Sequence, residues 1–278
     1  YWTGCLDATR AEARITPRTR AILAGNVNGH PAAWDALRAL AERHGLRLIE
    51  DSTEAIGSRY RGRPVGSFGD LAVFDFSQPS ALCCGEGAMV VTDDERLAIE
   101  LRYLRQRSIK DRNAVAVGAR VPLQAAMGEL GAALGVAQLA RIDGLLERRQ
   151  VVEQSYRRHT NSFEGIKPPY IGEGVDVVHW MVWVVHLGTR FTASARKQIV
   201  EDLAAEHIEA APYCKPLHQQ FHYQQQGWQR GDLPLAERIG DRALALPFHA
   251  HLDDDEIKFI VATLQDTATN IGAGAAIY

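Results

Sequence analysis

No stretch of the 278-residue sequence stays apolar for the roughly 20 residues that a membrane-crossing helix needs. The first residues, Tyr1-Trp2-Thr3-Gly4, carry neither a basic segment nor the apolar core that opens a secretory leader. No membrane association is expected. Charge of one sign is absent too: 31 Lys and Arg stand against 34 Asp and Glu, interspersed along the chain, for a net charge of −3. That balance leaves no electrostatic footprint for nucleic acid and points to a small-molecule ligand or a protein partner. Cysteine is scarce, with Cys5, Cys83, Cys84 and Cys214 spaced for neither a disulfide framework nor a zinc finger. A reducing, cytoplasmic setting is therefore expected. Repeats are missing, and Gln224-Gln225-Gln226 reads as a solvated loop. An initiator methionine is also missing, so Tyr1 is not expected to be the natural start.

What is present is a chain 46% hydrophobic and 23% charged, enough to bury a large core in one domain or in one plus a smaller one. Arg20 to Asn28 is an apolar run closing in turn formers, which suits a buried strand. Pro31 suits a first helical turn, and Trp34, Leu37, Leu40 and Ala41 recur at helical spacing until Gly45; Leu46 to Ile49 then returns as strand. Strand, helix and strand with short links make a βαβ unit, so the strands should be parallel and their carboxyl ends should form a site edge. Further strands are expected at Leu71–Phe74 and Ala88–Val91, with a helix opening at Asp94-Glu95. From Met127 to about Tyr156 the pattern predicts one long helix bridging two domains, with Arg148-Arg149 on its polar side. After Pro168-Pro169 the sequence predicts a strand over His179–Val185, a helix over Thr192–Glu206, a strand over Ile208–Ala211 and a last helix opening at Asp253-Asp254-Asp255. The domains are accordingly set at 1–162, a large α/β domain, and 163–278, a smaller α+β domain.

The segment from Ile49 to Gly57 ends a strand with an acid, Asp51, where α/β sheets place ligands. A carboxylate there could hold a protonated pyridine nitrogen, as a pyridoxal ring requires of its electron sink. On this segment alone, a helix cap or a loop acid explains Asp51 equally well.

Beyond that segment, Gly66-Ser67-Phe68-Gly69-Asp70, Gly85-Glu86-Gly87 and Met89-Val90-Val91-Thr92 follow in order, and near the end come Gly231–Arg238 and Leu246-Pro247-Phe248-His249. Together with Glu50-Asp51 and Ile15–Ile22 these blocks resemble the DegT/StrS sugar-aminotransferase family. Several separated blocks in one order are far more specific than a single short glycine motif. The resemblance implies the pyridoxal-phosphate transferase fold of type I, a mixed central sheet flanked by helices plus a small C-terminal α+β domain. It also implies a homodimer, pyridoxal phosphate (PLP) as cofactor, and amino transfer from glutamate or glutamine to a keto sugar or cyclitol.

Against that pattern the site departs at several positions. The family's Schiff-base lysine falls on Ser80, and a hydroxyl cannot form a Schiff base. A serine that contacts the cofactor phosphate in the family falls on Asp75, whose charge opposes a phosphate. The family's Asn-x-Arg-Met falls on Gln124-Ala125-Ala126-Met127, which keeps an amide and loses the arginine. The family's phosphate-cradling turn lies upstream of Tyr1. Asp51 remains, with Glu54 where the family often has Gln or Glu near the ring hydroxyl. By resemblance Arg190, Tyr213, Lys215 and His218 border the substrate pocket. Cys83-Cys84 reads as buried packing, and the scattered histidines lack a companion acid, so no metal is expected.

Asp51 keeps binding of PLP or pyridoxamine phosphate (PMP) open, while Asp75, Ser80 and Ala126 weigh against it. Three readings follow. One is an altered family member without lysine-based transamination, repurposed for a sugar or natural-product ligand. The others are an enzyme using PLP or PMP without a Schiff-base lysine, for example in a dehydration, and a non-catalytic partner subunit of an active aminotransferase.

Overall fold

The computed structural model describes residues 3–77, 80–106, 109, 121–160 and 165–274. The chain forms two compact units, one of Cys5–Gly144 with Glu173–His179, the other of Tyr1–Gly4, Leu145–Gly172 and Trp180–Tyr278. The expected boundary at 162/163 lies inside the second unit.

In chain order the first unit contributes α1 (Ala8–Glu12), β1 (Ala21–Gly25), α2 (Trp34–Arg43), β2 (Arg47–Asp51), β3 (Arg59–Tyr60), β4 (Arg63–Pro64), β5 (Leu71–Asp75), β6 (Ala88–Val91), α3 (Glu95–Arg105) and α4 (Glu129–Leu139). Then follow α5 (Ile142–Thr160), β7 (Ile166–Lys167) and β8 (Val175–Val177), the last returning to the first unit. The second unit continues with β9 (Trp183–Leu187), α6 (Ala193–Ala205), β10 (Ala211–Pro212), α7 (Phe221–Gln224), α8 (Pro234–Arg242), β11 (Ala243–Leu246) and α9 (Asp254–Gly274).

The main sheet of the first unit runs β1-β2-β5-β6, its first three strands parallel and β6 antiparallel. The βαβ expectation holds: α2 joins parallel β1 and β2 and buries Trp34, Leu37, Leu40 and Ala41 against Ile22, Ala24 and Leu48. Trp34 stacks on Phe68 with ring centroids 5.7 Å apart, and Tyr60 meets Phe68 edge-on. α2 begins at Trp34 and not at Pro31, because the Asn26 side-chain oxygen accepts from both the Ala32 N–H and Trp34 Nε1 and holds the intervening chain extended.

A fully buried carboxylate ties this unit together. Glu50 Oε1 accepts from Asn26 Nδ2 at 3.0 Å, Ser52 Oγ at 2.7 Å and the Gly66 N–H at 2.6 Å; Oε2 accepts from the Phe68 N–H at 2.8 Å. One side chain thus fixes the end of β1, the end of β2 and the turn at 66–69. Glycine is required in that turn, since a Cβ at Gly69 would stand 2.9 Å from the Glu50 nitrogen.

In the second unit an antiparallel sheet of order β10-β11-β9-β7 packs on helices, with Trp183, Leu244, Ile199, Leu203 and Tyr156 all fully buried. The helix expected over 127–156 is two helices, α4 and α5. The Arg141 N–H bonds back to the Gln138 carbonyl, three residues earlier, which closes α4 in a tight turn. Arg149, expected on a polar face, is buried: its guanidinium donates to the carbonyls of Trp180, Met181 and Phe248 and lies 4.6 Å from the Phe248 ring centroid. Burial lowers its pKa to about 10. The strand expected over 179–185 starts only at Trp183, and the His179 N–H is taken by Ser58 Oγ. The strand expected over 208–211 is the short pair Ala211–Pro212. Among the described residues no helix is long and apolar enough to cross a membrane.

Glu50→Gln would turn an NH2 group toward N–H donors and strand them without an acceptor. Denaturant unfolding is expected to show a loss of about 3 kcal/mol, with each unsatisfied buried donor costing about 1–3 kcal/mol. A loss within about 0.5 kcal/mol, the range of an ordinary surface change, would contradict the keystone role.

Candidate functional site

The carboxyl ends of β1, β2 and β5 lie at one edge of a parallel sheet, the edge where such sheets hold ligands. The turn after β1 places Asn28, the turn after β2 places Thr53 and Glu54, and β2 and β5 end on Asp51 and Asp75. The Ser52 N–H bonds the Val73 carbonyl and the Asp75 N–H bonds Thr53 Oγ1 at 3.1 Å, so the ends of β2 and β5 are locked side by side. Asp51 Oδ1 accepts from the Thr53 N–H at 3.1 Å, and its second oxygen has no hydrogen-bond partner among the described residues.

Glu54 accepts the Asn28 N–H. Burial pushes its carboxyl above the ordinary range; the Asn28 N–H opposes that shift, and the negative charge of Asp51 adds to it. Glu54 therefore holds a proton more readily than an ordinary carboxyl.

Asp75 is absorbed locally. Its Oδ1 accepts the Ser77 N–H at 2.8 Å and its Oδ2 accepts Ser77 Oγ at 2.9 Å. Ser80 lies in the β5–β6 connection, half-buried, donating from Oγ to the Leu82 carbonyl at 2.8 Å while the Leu82 N–H approaches the same oxygen at 3.3 Å. The base of this loop is closed by the Phe76 N–H on the Gly87 carbonyl and the Cys84 N–H on the Phe76 carbonyl. Cys84 is buried against α4, where a Cβ at Gly135 would lie 3.6 Å from its sulfur, and burial raises its thiol pKa. Gln124 is exposed, in the left-handed region at φ 57°, on the segment that carries Met127. Met127 packs onto the Gly87 turn so closely that a Cβ there would stand 2.8 Å from its sulfur.

The remaining predicted residues belong to the second unit. Arg190 is exposed, over the Phe191 ring at 5.0 Å and beside Gly272. Tyr213 bonds the Ala243 carbonyl through its N–H, and Lys215 is exposed. His218 is buried, with Nε2 2.8 Å from Glu237 Oε1. The sequence signalled Asp51 through the strand-end pattern and Glu54 through the family resemblance. Thr53 and Ser77 hold Asp51 and Asp75 through bonds two residues along the chain, and the one bond that runs between the loops, the Asp75 N–H to Thr53 Oγ1, carries no spacing signal.

These residues suit one part of a pyridoxal cofactor and not another. The unpartnered Asp51 oxygen is the right acceptor for a pyridinium N–H. Ser80, on which the lysine is expected by resemblance, carries a hydroxyl, which cannot form a Schiff base, and among the described residues of the first unit there is no lysine.

The chain matches the DegT/DnrJ/EryC1/StrS aminotransferase family over residues 2–265. It is 36% identical to a GDP-perosamine synthase of Caulobacter vibrioides, covering 93% of this chain and 69% of that protein. The structure of S. venezuelae DesV in complex with a ketimine intermediate superposes with a TM-score of 0.82 at 33% identity, over 95% of this chain and 69% of that one. Spr1654 of Streptococcus pneumoniae in its PMP form superposes at 0.85 with 23% identity, over 96% and 74%.

Glu54, with a folded pKa above its ordinary 4.5, stabilises the fold while protonated and loses that contribution as pH rises from 4.5 through the raised value. Thermal unfolding should therefore show Glu54→Gln gaining on the parent chain across that rise, and a difference independent of pH would refute the assignment.

Proposed function

This chain belongs to the DegT/DnrJ/EryC1/StrS aminotransferase family, and we propose that it serves sugar or natural-product biosynthesis without ordinary lysine-based transamination. The observation that carries this reading is Ser80: its hydroxyl is spent on a turn with Leu82 in the loop where, by resemblance, the family's lysine stands. Asp75 adds to it, since a carboxylate closed onto Ser77 offers a phosphate a negative charge in place of a hydroxyl donor.

Bound PLP or PMP would supply an electron sink. A second reading, non-covalent use of that cofactor, is supported by Asp51, whose free oxygen could accept a pyridinium N–H and keep the ring protonated. Glu54, with its raised pKa, could then hold or return a proton near the ring hydroxyl. Arg190, Tyr213, Lys215 and His218 are proposed to border the substrate pocket, and Gln124 to retain an amide contact to the cofactor.

Treatment of the full chain with PLP and borohydride is expected to leave no stoichiometric pyridoxyl adduct in intact-mass analysis, whereas Ser80→Lys gains one at position 80. A stoichiometric adduct on Lys110 or Lys215 of the parent chain would overturn the reading. Calorimetric uptake of PMP by the parent chain, lost in Asp51→Asn, would favour the non-covalent alternative.

A homodimer is proposed as well. α4 has no buried residue, and Leu130, Val136 and Leu139 on it are exposed at 89%, 70% and 57%. Large apolar side chains exposed together on one helix mark a surface that a partner covers. Light scattering should find a dimer that Leu130→Glu with Val136→Glu converts to a monomer; a monomeric parent chain would refute the assignment.

A further inference from the structure

We propose that the second unit carries a binding site for phosphoanions, a phosphate ester or a diphosphate, in a cavity of about 550 Å³ between the start of α6 and α8. This inference does not rest on the fate of Ser80 or on the Asp51 edge, since every residue of the site belongs to the second unit.

One wall is the first turn of α6. Thr192 Oγ1 caps the Ala195 N–H and lies 2.8 Å from Ser194 Oγ, which leaves the N–H groups of Ala193 and Ser194 at the start of a 13-residue helix. The other wall is α8, which presents Arg238 and Arg242 at i and i+4, on one helix face. Arg230 joins them from the preceding loop.

What decides the sign of the cavity is which charges are already spent. Glu237 lines it too, and its Oε1 accepts His218 Nε2 at 2.8 Å and the Gly231 N–H at 2.7 Å. Asp241 is engaged by Arg230, Nη2 to Oδ2 at 2.6 Å and Nη1 to Oδ1 at 3.3 Å. Arg238 and Arg242 form no ion pair among the described residues. The charge of Arg242 is felt at His186, whose pKa is lowered first by burial and then by that cation.

Two guanidiniums without an ion pair among the described residues and two helix-start N–H groups make more donors than one carboxylate ligand can satisfy. They match a tetrahedral group with several oxygens and two charges. The helix start supplies the orientation and the arginines the affinity.

The test is calorimetric titration of the full chain, at low salt, with inorganic phosphate, inorganic diphosphate, UDP and uridine. Saturable binding of the phosphoanions and none of uridine is expected; tighter binding of UDP than of diphosphate would assign a nucleotide source, and equal binding a free phosphoanion. Arg238→Gln and Arg242→Gln should each weaken binding at least about tenfold, the scale of one charge-assisted hydrogen bond. Asp241→Asn should strengthen it, because that change removes a carboxylate and releases Arg230, an effect that mere loss of packing would not produce. No saturable heat at millimolar phosphoanion, or affinity unchanged in the Arg238→Gln, Arg242→Gln double variant, would overturn the proposal. Because PLP itself carries a phosphate, uptake of PLP that the double variant loses and Asp51→Asn retains belongs to this site. The reverse pattern belongs to the Asp51 edge, so the two readings fail separately.

Discussion

A carboxylate buried without a cation is expensive, and Glu50 is tolerated because hydrogen-bond donors from three separate segments surround it. The same contacts dictate where the next residues go. With Glu50 turned into the core, the alternation of a strand sends Asp51 to the other side, at the end of β2. Asn26, held by Glu50 and capped onto Ala32 and Trp34, fixes the turn that delivers the Asn28 N–H to Glu54. The two acids at the sheet edge are therefore set by a core network whose own members never face a ligand.

This explains which features could be read in the sequence. Glu50-Asp51 is legible as a strand end because hydrophobic alternation and turn formers bracket it, and the parallel pairing of β1 with β2 follows from the short helix between them. The division of labour between the two acids is not legible, since it depends on donors at Gly66 and Phe68, which the fold alone brings near. Arg149 departs from its pattern for a similar reason: helical periodicity assigns an arginine to the polar face, whereas three carbonyls and an aromatic ring in the second unit hold it inside. The break between α4 and α5 has no proline to announce it and arises from a local three-residue hydrogen bond.

The β5–β6 connection is held in shape independently of the side chains on which the proposed loss of lysine chemistry rests. Its base is backbone hydrogen bonding between Phe76, Cys84 and Gly87, which is indifferent to side chains. α4 supports the loop from one side: Gly131 and Gly135 lie against the Cys84–Gly87 turn, and Gln138 Nε2 donates to the Cys83 carbonyl at 3.2 Å. Within that frame Asp75 and Ser80 are each satisfied by a neighbour two residues away, through bonds that short polar side chains form readily and a lysine does not.

In the second unit the same distinction between committed and spare groups runs along a single helix. α8 turns Glu237 inward, where His218 and the Gly231 N–H occupy it, and that bond anchors the segment carrying Tyr213 and Lys215 to the helix. Gly240 allows the close approach, because a Cβ there would meet Pro216 at 2.7 Å. Arg238 and Arg242 have no such obligation among the described residues, and both line the cavity at the start of α6. Arg238 is exposed and Arg242 half-buried, and at i and i+4 on α8 their like charges repel, a cost that an anion would offset.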